Sequence, residues 1–413
     1  MENEKSKKKD LSKHKNFRYL IFGTIYLHQG FIEVFMYIYM ALYLLSFGLS
    51  ILLIGLTIGI GTSPWIVKIL YGLMSDRKAS KKWGRRIPYM LIGSFFAAIL
   101  FFMLIPLNPS TAWILFTSTI FAANFFNALC DTATDGLVVD TTTPEKRGTV
   151  QSVCWGSKLV GYIVAALLVG FMVEIFSWTI YFIFMGIFLL LPIPMLLMSR
   201  EPPFQISEKF PWKALKDTFK MRIVWIVLIL FVANGLAIFI IFSMLPLFLS
   251  IELKLELTLV GLVMAAGSMG FFIATLISGP IFDRFSRKKS VIIVIIFATF
   301  AFFMVSLIQN LLMAFIFVLI AGLAYGLYTI IEMMLSMDIC KKSIGATMFS
   351  IYMSLYNLGN TLGTIIGALL VEAYGFQFAF ICGGFIVLST LILALFIKDT
   401  ENIFAENTDL IKQ

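Results

Sequence analysis

The feature that most constrains this chain is a succession of apolar runs of about 20 residues, each long enough as a helix to cross ~30 Å of hydrocarbon. The runs extend from residue 17 to residue 397 with only short interruptions. Because 60% of the residues are hydrophobic and only 13% are charged, a water-soluble fold would lack the polar surface to cover them. The sequence therefore predicts an all-α membrane protein.

We predict twelve transmembrane helices, which would place both termini on the same side of the membrane. The predicted spans are residues 17–46, 52–75, 88–107, 112–140, 147–174, 177–198, 221–250, 257–280, 290–308, 311–338, 343–373 and 376–397.

The positions of Lys and Arg predict the orientation. Apart from Lys68, Lys158 and Lys254, these residues lie in the two tails, or in or beside the loops that join even-numbered spans to odd-numbered ones. The positive-inside rule therefore predicts a multi-pass cell-membrane protein with both termini in the cytoplasm. The net charge of +9 then reflects topology and attraction to anionic lipid, and it does not call for a nucleic-acid partner.

Metal and cofactor chemistry is not indicated. The four cysteines, Cys130, Cys154, Cys340 and Cys382, have neither paired spacing nor a His partner. The predicted spans also lack a Ser–His pair on facing stripes. We expect no metal, no cofactor and no enzymatic activity.

Two charged loops interrupt the apolar pattern, and they are related. The first is GLMSDRKASKKWGRR at Gly72–Arg86, after span 2, and the second is GPIFDRFSRKK at Gly279–Lys289, after span 8. Both contain Gly-x-x-x-Asp-Arg followed by further basic residues. This repeated pattern resembles the signature of the major facilitator superfamily.

The resemblance implies two pseudo-symmetric six-helix bundles in a protein that usually works as a monomer. The bundles would be residues 17–198 and 221–397, joined by a cytoplasmic linker at 199–220 and flanked by cytoplasmic tails at 1–16 and 398–413.

Two features resemble different branches of that superfamily. The expanded first loop, which ends Trp83-Gly84-Arg85-Arg86-Ile87-Pro88-Tyr89, is similar to that of glycoside and sucrose cation symporters. The span-4 run with Asp131, Asp135 and Asp140, followed by Arg147-Gly148, is similar to muropeptide-permease and folate–biopterin carriers. The substrate class therefore stays open at this point.

The charged loops also suggest a conformational latch. Glycine allows a tight turn, Asp can cap a helix, and Arg can bridge to carboxylates across a seam. The alternative is a simple positive-inside anchor. The predicted latch comprises Gly72, Asp76, Arg77, Gly84, Arg85, Arg86, Asp140, Gly279, Asp283, Arg284, Arg287 and Asp338.

Span 4 and span 10 each carry an inward polar stripe and a terminal acid that points elsewhere. Asp131 and Asp135 share a helical face, whereas Asp140 lies roughly opposite, which predicts that Asp140 pairs with the loop arginines. In span 10, Asp338 is likewise turned away from the Glu332 stripe, and we expect it near Arg284 and Arg287. Ionisable side chains inside a membrane are costly and usually functional.

We predict a membrane-embedded site for substrate and coupling ion. Counting residues from the helix ends places Asp131 and Lys158 at similar depth, so we expect a buried Asp131–Lys158 pair and place Lys68 nearer Asp135. His28 lies off the Glu33 stripe and is expected to pack. The predicted site comprises Tyr26, Gln29, Glu33, Asn127, Asp131, Asp135, Trp155, Lys158, Tyr325, Tyr328, Glu332, Asn357 and Asn360.

Small residues at four-residue spacing predict close helix contacts. Span 2 carries Gly55, Gly59 and Ser63, and span 11 carries Gly359, Gly363 and Gly367. The resemblance implies that spans 2 and 11 meet, so both tracks are expected to face each other.

These observations favour a secondary active transporter. We expect it to move a small polar solute, sugar-like or glycoside-like, by alternating access coupled to a proton or monovalent cation. An exporter of amphiphilic compounds is one alternative. A non-transporting membrane factor that assembles or delivers a partner on the same fold is the other.

Overall fold

The structure is a computed structural model that describes residues 9–77, 83–142, 146–202, 212–282, 284–339 and 344–397. The side chains at positions 73, 76, 77, 147, 148 and 346 lie outside this description. Among the described residues, 11 helices are long and apolar enough to cross a membrane, and Ile87–Met103 is a shorter apolar helix. The predicted all-α membrane fold with twelve spans is confirmed in this form.

The first six apolar helices follow the predicted spans to within a few residues. They are α1 (Lys15–Ser46), α2 (Ile51–Thr62, then Lys68–Arg77), α3 (Ile87–Met103), α4 (Trp113–Thr141), α5 (Arg147–Ile175) and α6 (Trp178–Leu197).

The next six also match. They are α7 (Arg222–Ile251), α8 (Leu257–Phe282), α9 (Arg287–Val305), α10 (Leu311–Asp338), α11 (Gly345–Tyr374) and α12 (Phe376–Leu395). Residue 343, the predicted start of the eleventh span, lies outside the described residues.

By contacts, the described residues fall into two compact units. Unit 1 comprises those within Met1–Leu49, Ile60–Glu208 and Leu257–Gly261. Unit 2 comprises those within Ser50–Gly59, Lys209–Glu256 and Leu262–Gln413. The first residues of α2 and α8 are thus assigned to a different unit from the rest of each helix.

Two of the long helices of unit 1 change their winding within the apolar segment. In α1, Phe35–Tyr39 forms a π-helical turn. In α2, Ser63–Val67 forms a 3-10 turn with Pro64 at its start. Proline has no N–H to donate and favours the first positions of a helix, so Pro64 ends one helical segment and begins the next. Lys68 is the first residue after this turn.

Glycine contacts bring two helix pairs to backbone distance in a repeated manner. In unit 1, a side chain at Gly30 of α1 or Gly161 of α5 would collide with backbone atoms of the other helix. In unit 2, Gly235 of α7 and Gly359 of α11 have the same relationship. The first and fifth spans therefore pack as the seventh and eleventh do, as expected of a repeated six-span unit.

The prediction for the span-11 glycines is wrong. Gly55 and Gly59 of α2 do contact α11 within unit 2, at Ala368 and Ile365. Gly359, Gly363 and Gly367 instead face α7, where they meet the backbone of Val232, Leu236 and Ile240. Because a four-residue glycine spacing marks one face of a helix without identifying its neighbour, the sequence did not distinguish α2 from α7.

Short elements outside the spans were not predicted. Lys9–Asp10 (β1) pairs in parallel with Ser199–Arg200 (β2), in the register Lys9 to Ser199 and Asp10 to Arg200. A short helix, Trp212–Phe219, precedes α7. Part of the predicted N-terminal tail and part of the predicted linker are therefore ordered.

Candidate functional site

A polar cluster inside the apolar part of unit 1 centres on Lys68. Its Nζ lies 2.5 Å from Oδ2 of Asp131 and 2.8 Å from Oδ2 of Asp135. Gln29 Nε2 donates to the other oxygen of Asp131 at 2.9 Å, and the Tyr26 hydroxyl donates to Oδ1 of Asp135. Three helices, α1, α2 and α4, thus contribute to one hydrogen-bonded ion cluster.

The 3-10 turn of α2 supports the position of Lys68. Trp65, inside the turn, donates its indole N–H to Oδ1 of Asn124 at 3.2 Å. The Lys68 ammonium lies 5.8 Å from the centre of the Trp65 ring. Asn124 is two helical turns before Asp131 on α4. The 3-10 turn of α2 therefore contacts the same face of α4 that carries Asp131 and Asp135.

The two carboxylates differ in exposure. The Asp131 side chain is 5% exposed, whereas that of Asp135 is 40% exposed. A buried carboxylate depends on its partners, because an unpaired charge in an apolar medium is strongly unfavourable. Asp131 therefore depends on Lys68 and Gln29 more than Asp135 does.

A second ion pair in unit 1 joins α1 and α5. Lys158 Nζ lies 2.6 Å from Oε1 of Glu33, with side-chain exposures of 17% and 25%. The same ammonium lies 5.0 Å from the centre of the Trp155 ring, and Trp155 is itself 51% exposed. This half-open group combines an acid, a cation and an aromatic face.

The predicted Asp131–Lys158 pair is therefore wrong. Lys158 is three residues before Gly161, and Glu33 is three residues after Gly30, so the close glycine contact of α1 with α5 brings these two side chains together. Asp131 on α4 is reached by Lys68 instead. Depth alone could not reveal which helices touch.

Two buried amides of unit 1, Asn127 and the cluster member Gln29, each have one polar atom without a hydrogen-bond partner among the described residues. Asn127, one turn before Asp131, is 9% exposed, and its Nδ2 has no hydrogen-bond partner among the described residues. Gln29 is 5% exposed, and its Oε1 is also without a partner in that part of the chain. His28 packs against the Phe188 ring at 4.1 Å between centroids, as expected.

Unit 2 contains a different arrangement. Glu332 is 1% exposed and accepts a hydrogen bond from Nδ2 of Asn234 on α7. Tyr325 and Tyr356 share a hydroxyl–hydroxyl hydrogen bond of 2.6 Å. Asn234 was not among the predicted site residues, although it is the only amide in an otherwise apolar span.

The remaining predicted residues of unit 2 have distinct surroundings. Asn360 lies beside Gly235 of α7 and is 5% exposed, while Asn357, on the same helix, is half-buried. Tyr328 is fully buried, and its hydroxyl is 2.9 Å from Oγ1 of Thr390 on α12. Tyr328 therefore lies in the helix-packing core, which corrects its prediction as a lining residue.

Arg85 and Arg86 converge on Asp140 at the end of α4, and we refer to these three residues as the Arg–Asp cluster. Arg85 Nη2 is 2.7 Å from Oδ1 of Asp140 and 2.8 Å from Oδ2, while Arg86 Nε is 3.3 Å from Oδ2. Arg86 also donates to Oγ of Ser75 at 2.5 Å. The predicted contact of Asp140 with the loop arginines is confirmed.

Glu201, which no sequence pattern indicated, holds the backbone of the same loop. Its carboxylate accepts N–H donors from Arg85 at 2.9 Å, Arg86 at 2.7 Å and Ile87 at 2.6 Å. These donors begin α3, where free N–H groups and the helix dipole favour an anion. Burial raises the pKa of the Glu201 carboxyl above 4.5, although the three N–H donors act in the opposite direction.

The loop geometry explains Gly84. Its φ is +105°, a backbone conformation that residues with a side chain rarely adopt. An added Cβ would also overlap the Glu201 carboxylate. Glycine is therefore required at position 84, a member of the predicted latch, by both the backbone conformation and the packing against Glu201. Gly72 and Gly279, by contrast, have no neighbour among the described residues close enough to exclude a side chain.

The second charged loop is simpler. Arg287 Nε lies 2.8 Å from Oδ2 of Asp338, a predicted contact that the structure confirms. Arg284 is exposed and has no ion pair among the described residues, so its predicted proximity to Asp338 stays a prediction. Asp283, and the side chains of Asp76 and Arg77, lie outside the described part of the chain.

Comparison with known proteins gives a consistent family. A model of the Major Facilitator Superfamily matches residues 30–274 and 249–409. The folate-biopterin transporter of Synechocystis sp. (strain ATCC 27184 / PCC 6803 / Kazusa) is 28% identical over 215 residues, 49% of this chain and 40% of that protein. The 4-hydroxybenzoate transporter PcaK of Acinetobacter baylyi (strain ATCC 33305 / BD413 / ADP1) is 30% identical over 138 residues, 33% and 30% of the two chains. These matches span less than half of either relative.

Solved structures share the fold at low identity. A bacterial homologue of the human lysosomal transporter Spinster, in an inward-facing and unoccupied conformation, has a TM-score of 0.74 at 16% identity, and the match covers 95% of this chain and 98% of that one. A point mutant of the nucleoside transporter NupG has a TM-score of 0.75 at 14% identity, with 92% and 99% covered.

Proposed function

Because the chain belongs to the major facilitator superfamily, we propose that it is a secondary active transporter that moves a small polar solute across the cell membrane. The resemblance predicted from the two charged loops is confirmed by the family match. The relatives named above are transporters of small molecules, which supports the same class of activity here and no enzyme.

The observation that carries coupling is an imbalance of charge in unit 1. Two ammonium groups, Lys68 and Lys158, face three carboxylates, Asp131, Asp135 and Glu33. One negative charge is left over within the apolar segment, where uncompensated charge is strongly unfavourable. A proton or a monovalent cation bound there would neutralise the group, and its release would restore the imbalance.

We assign the coupling role to Asp131 and the solute role to the half-open group of Glu33, Lys158 and Trp155. Asp131 is the most buried of the three carboxylates, so its charge state should bear most strongly on the packing of α1, α2 and α4. Trp155 offers an exposed ring on which a sugar or a heteroaromatic ring can stack, and Lys158 offers a cation beside it.

The solute we favour is sugar-like or glycoside-like, recognised by stacking and hydrogen bonds. Pterins and aromatic acids belong in the same test, because a folate-biopterin and a 4-hydroxybenzoate transporter are among the relatives. Residues 17–198 and 221–397 would be the two moving bundles of a monomer with cytoplasmic termini, and the Arg–Asp cluster would be the conformational latch.

Thermal stabilisation by added solute provides the first test. A ligand that binds the native state raises the melting temperature by mass action, so a panel of glycosides, pterins and aromatic acids should contain at least one stabilising compound. That compound should lose its effect in Trp155→Ala but keep it in Trp225→Ala, another exposed tryptophan. Equal loss in both variants, or stabilisation by no compound, would contradict the proposed solute site.

A further inference from the structure

The N-terminal residues Lys9–Leu11, which we define as the N-terminal clasp, are docked on the segment that follows α6. The N–H of Lys9 donates to the Met198 carbonyl at 2.8 Å, and the N–H of Leu11 donates to the Arg200 carbonyl at 3.1 Å. The Leu11 side chain is fully buried in an apolar cluster that includes Ile21 and Leu196. The segment therefore has both backbone pairing and a side-chain anchor.

The clasp is also tied to the ends of two helices. Arg18 of α1, itself 5% exposed, donates to the carbonyls of Leu11 and Thr141, and Thr141 is the last residue of α4. Asp10 Oδ1 accepts the N–H and the hydroxyl of Ser12, which closes a turn directly after the strand. The clasp thus ends beside the α4 terminus that carries Asp140.

Through its partner strand β2, the clasp is connected to the Arg–Asp cluster. Strand β2, with which the clasp pairs, continues directly into Glu201. The Glu201 N–H donates to the Trp83 carbonyl at 3.2 Å, and its carboxylate holds the N–H groups of Arg85, Arg86 and Ile87. Moving β2 would therefore move the anion that fixes the backbone of both arginines.

We propose that the N-terminal clasp is a positioning element for the Arg–Asp cluster, which acts by holding β2 and hence Glu201 against the first turn of α3. Release of the clasp would weaken the hydrogen bonds between Glu201 and the backbone N–H groups of Arg85 and Arg86. It would thereby weaken the ion pairs of both arginines with Asp140. Any effect of clasp release on transport rests on the proposed function, as does the assignment of the Arg–Asp cluster as a latch. The positioning of the cluster by the clasp does not.

Hydrogen–deuterium exchange tests the positioning directly, without any solute. In Leu11→Ala, we expect the backbone N–H groups of residues 85–87 to exchange about 10-fold faster than in the native protein, because local opening becomes easier. Lys13→Ala, at an exposed position two residues away, should leave them unchanged. Unchanged exchange in Leu11→Ala would overturn the proposal.

A locking variant keeps the proposal falsifiable if Leu11→Ala does not accumulate. Asp10 and Arg200 are register partners, so Asp10→Cys with Arg200→Cys should permit a disulfide that fixes the clasp in place. In this variant, oxidation should slow exchange at residues 85–87 and reduction should restore it. Equal exchange in both redox states would also overturn the proposal.

Turnover then distinguishes positioning from a general structural role. Once a transported solute is known, Leu11→Ala should change turnover about 3-fold or more in the native background, yet leave it unchanged in an Asp140→Asn background, because coupled residues are non-additive. The same change in both backgrounds would contradict action through Asp140. If no solute is transported but hydrogen–deuterium exchange responds as expected, the proposed function is contradicted, whereas the positioning role of the clasp is supported.

Discussion

Lys158 and Glu33 form an ion pair of 2.6 Å between two helices whose backbones touch at Gly161 and Gly30. Each charged residue is three positions from the glycine of its own helix. The close helix contact at the two glycines therefore determines the geometry of the ion pair. The pair is partly buried, and its geometry depends on how closely α1 and α5 approach.

Removing one member of this pair should destabilise the protein more than removing both. Lys158→Met leaves the Glu33 carboxylate without its cation, a change that costs ~3–5 kcal/mol for fully buried pairs and less here because of partial exposure. The double variant Glu33→Gln with Lys158→Met should recover part of that loss. Melting temperatures of the two single variants and the double variant check this, and a double variant less stable than both single ones would contradict it.

The glycine contact can be tested independently. Gly161→Ala should destabilise the protein by ~1–3 kcal/mol, because the new methyl group collides with the Leu27 carbonyl and the helices must separate. Gly156→Ala lies on the same helix, but its added Cβ meets no atom of another described element within 4 Å. It is the matched control and should be neutral or slightly stabilising. Equal melting temperatures for the two variants would show that close approach is not needed.

Local sequence patterns predicted the spans and the two arginine–carboxylate contacts well. The contacts of Asp140 with Arg85 and Arg86, and of Asp338 with Arg287, were predicted because each acid lies at a helix end beside a charged loop, where few helices compete. Helical periodicity also identified the stripe that carries Asp131 and Asp135, as well as the packing role of His28.

Contacts between distant helices were predicted less well. Lys158 was paired with the wrong acid because depth along the helix axis does not specify which helix is adjacent. The burial of Tyr328 against Thr390 depends on α12, which carries no charge pattern. The role of Glu201 was missed because a side chain that caps a helix more than 100 residues away in the sequence leaves no local signal.

Glu201 should make stability depend on pH. Its pKa is raised by burial, so the folded protein binds a proton more readily than the unfolded chain does. The stabilising contribution of the protonated group is therefore full below pH 4.5, the ordinary value, and is lost as pH rises through the higher folded pKa. Melting temperatures of the native protein and Glu201→Gln, compared across this range, should show a steeper decline with rising pH in the native protein. A parallel course for both would contradict the assignment.

The Arg–Asp cluster should govern turnover rather than binding. Asp140→Asn weakens the bidentate contact with Arg85, so the first charged loop should separate too easily from the end of α4. Turnover should then fall about 10-fold, or ~1.4 kcal/mol in activation free energy. Solute affinity should remain within a few-fold. Asp217→Asn, in the short helix before α7, is a charge-matched control. Loss of affinity with normal turnover would contradict a latch.

Proton movement in reconstituted vesicles tests the central claim most directly. With a stabilising solute in hand, solute added to one side should drive proton or cation movement in the native protein and in Asp217→Asn. In Asp131→Asn, which removes the more buried of the two carboxylates beside Lys68, this ion movement should fall by about 10-fold or more while solute exchange down its own gradient persists. Undiminished ion movement in Asp131→Asn would contradict the assignment of Asp131 as the coupling site.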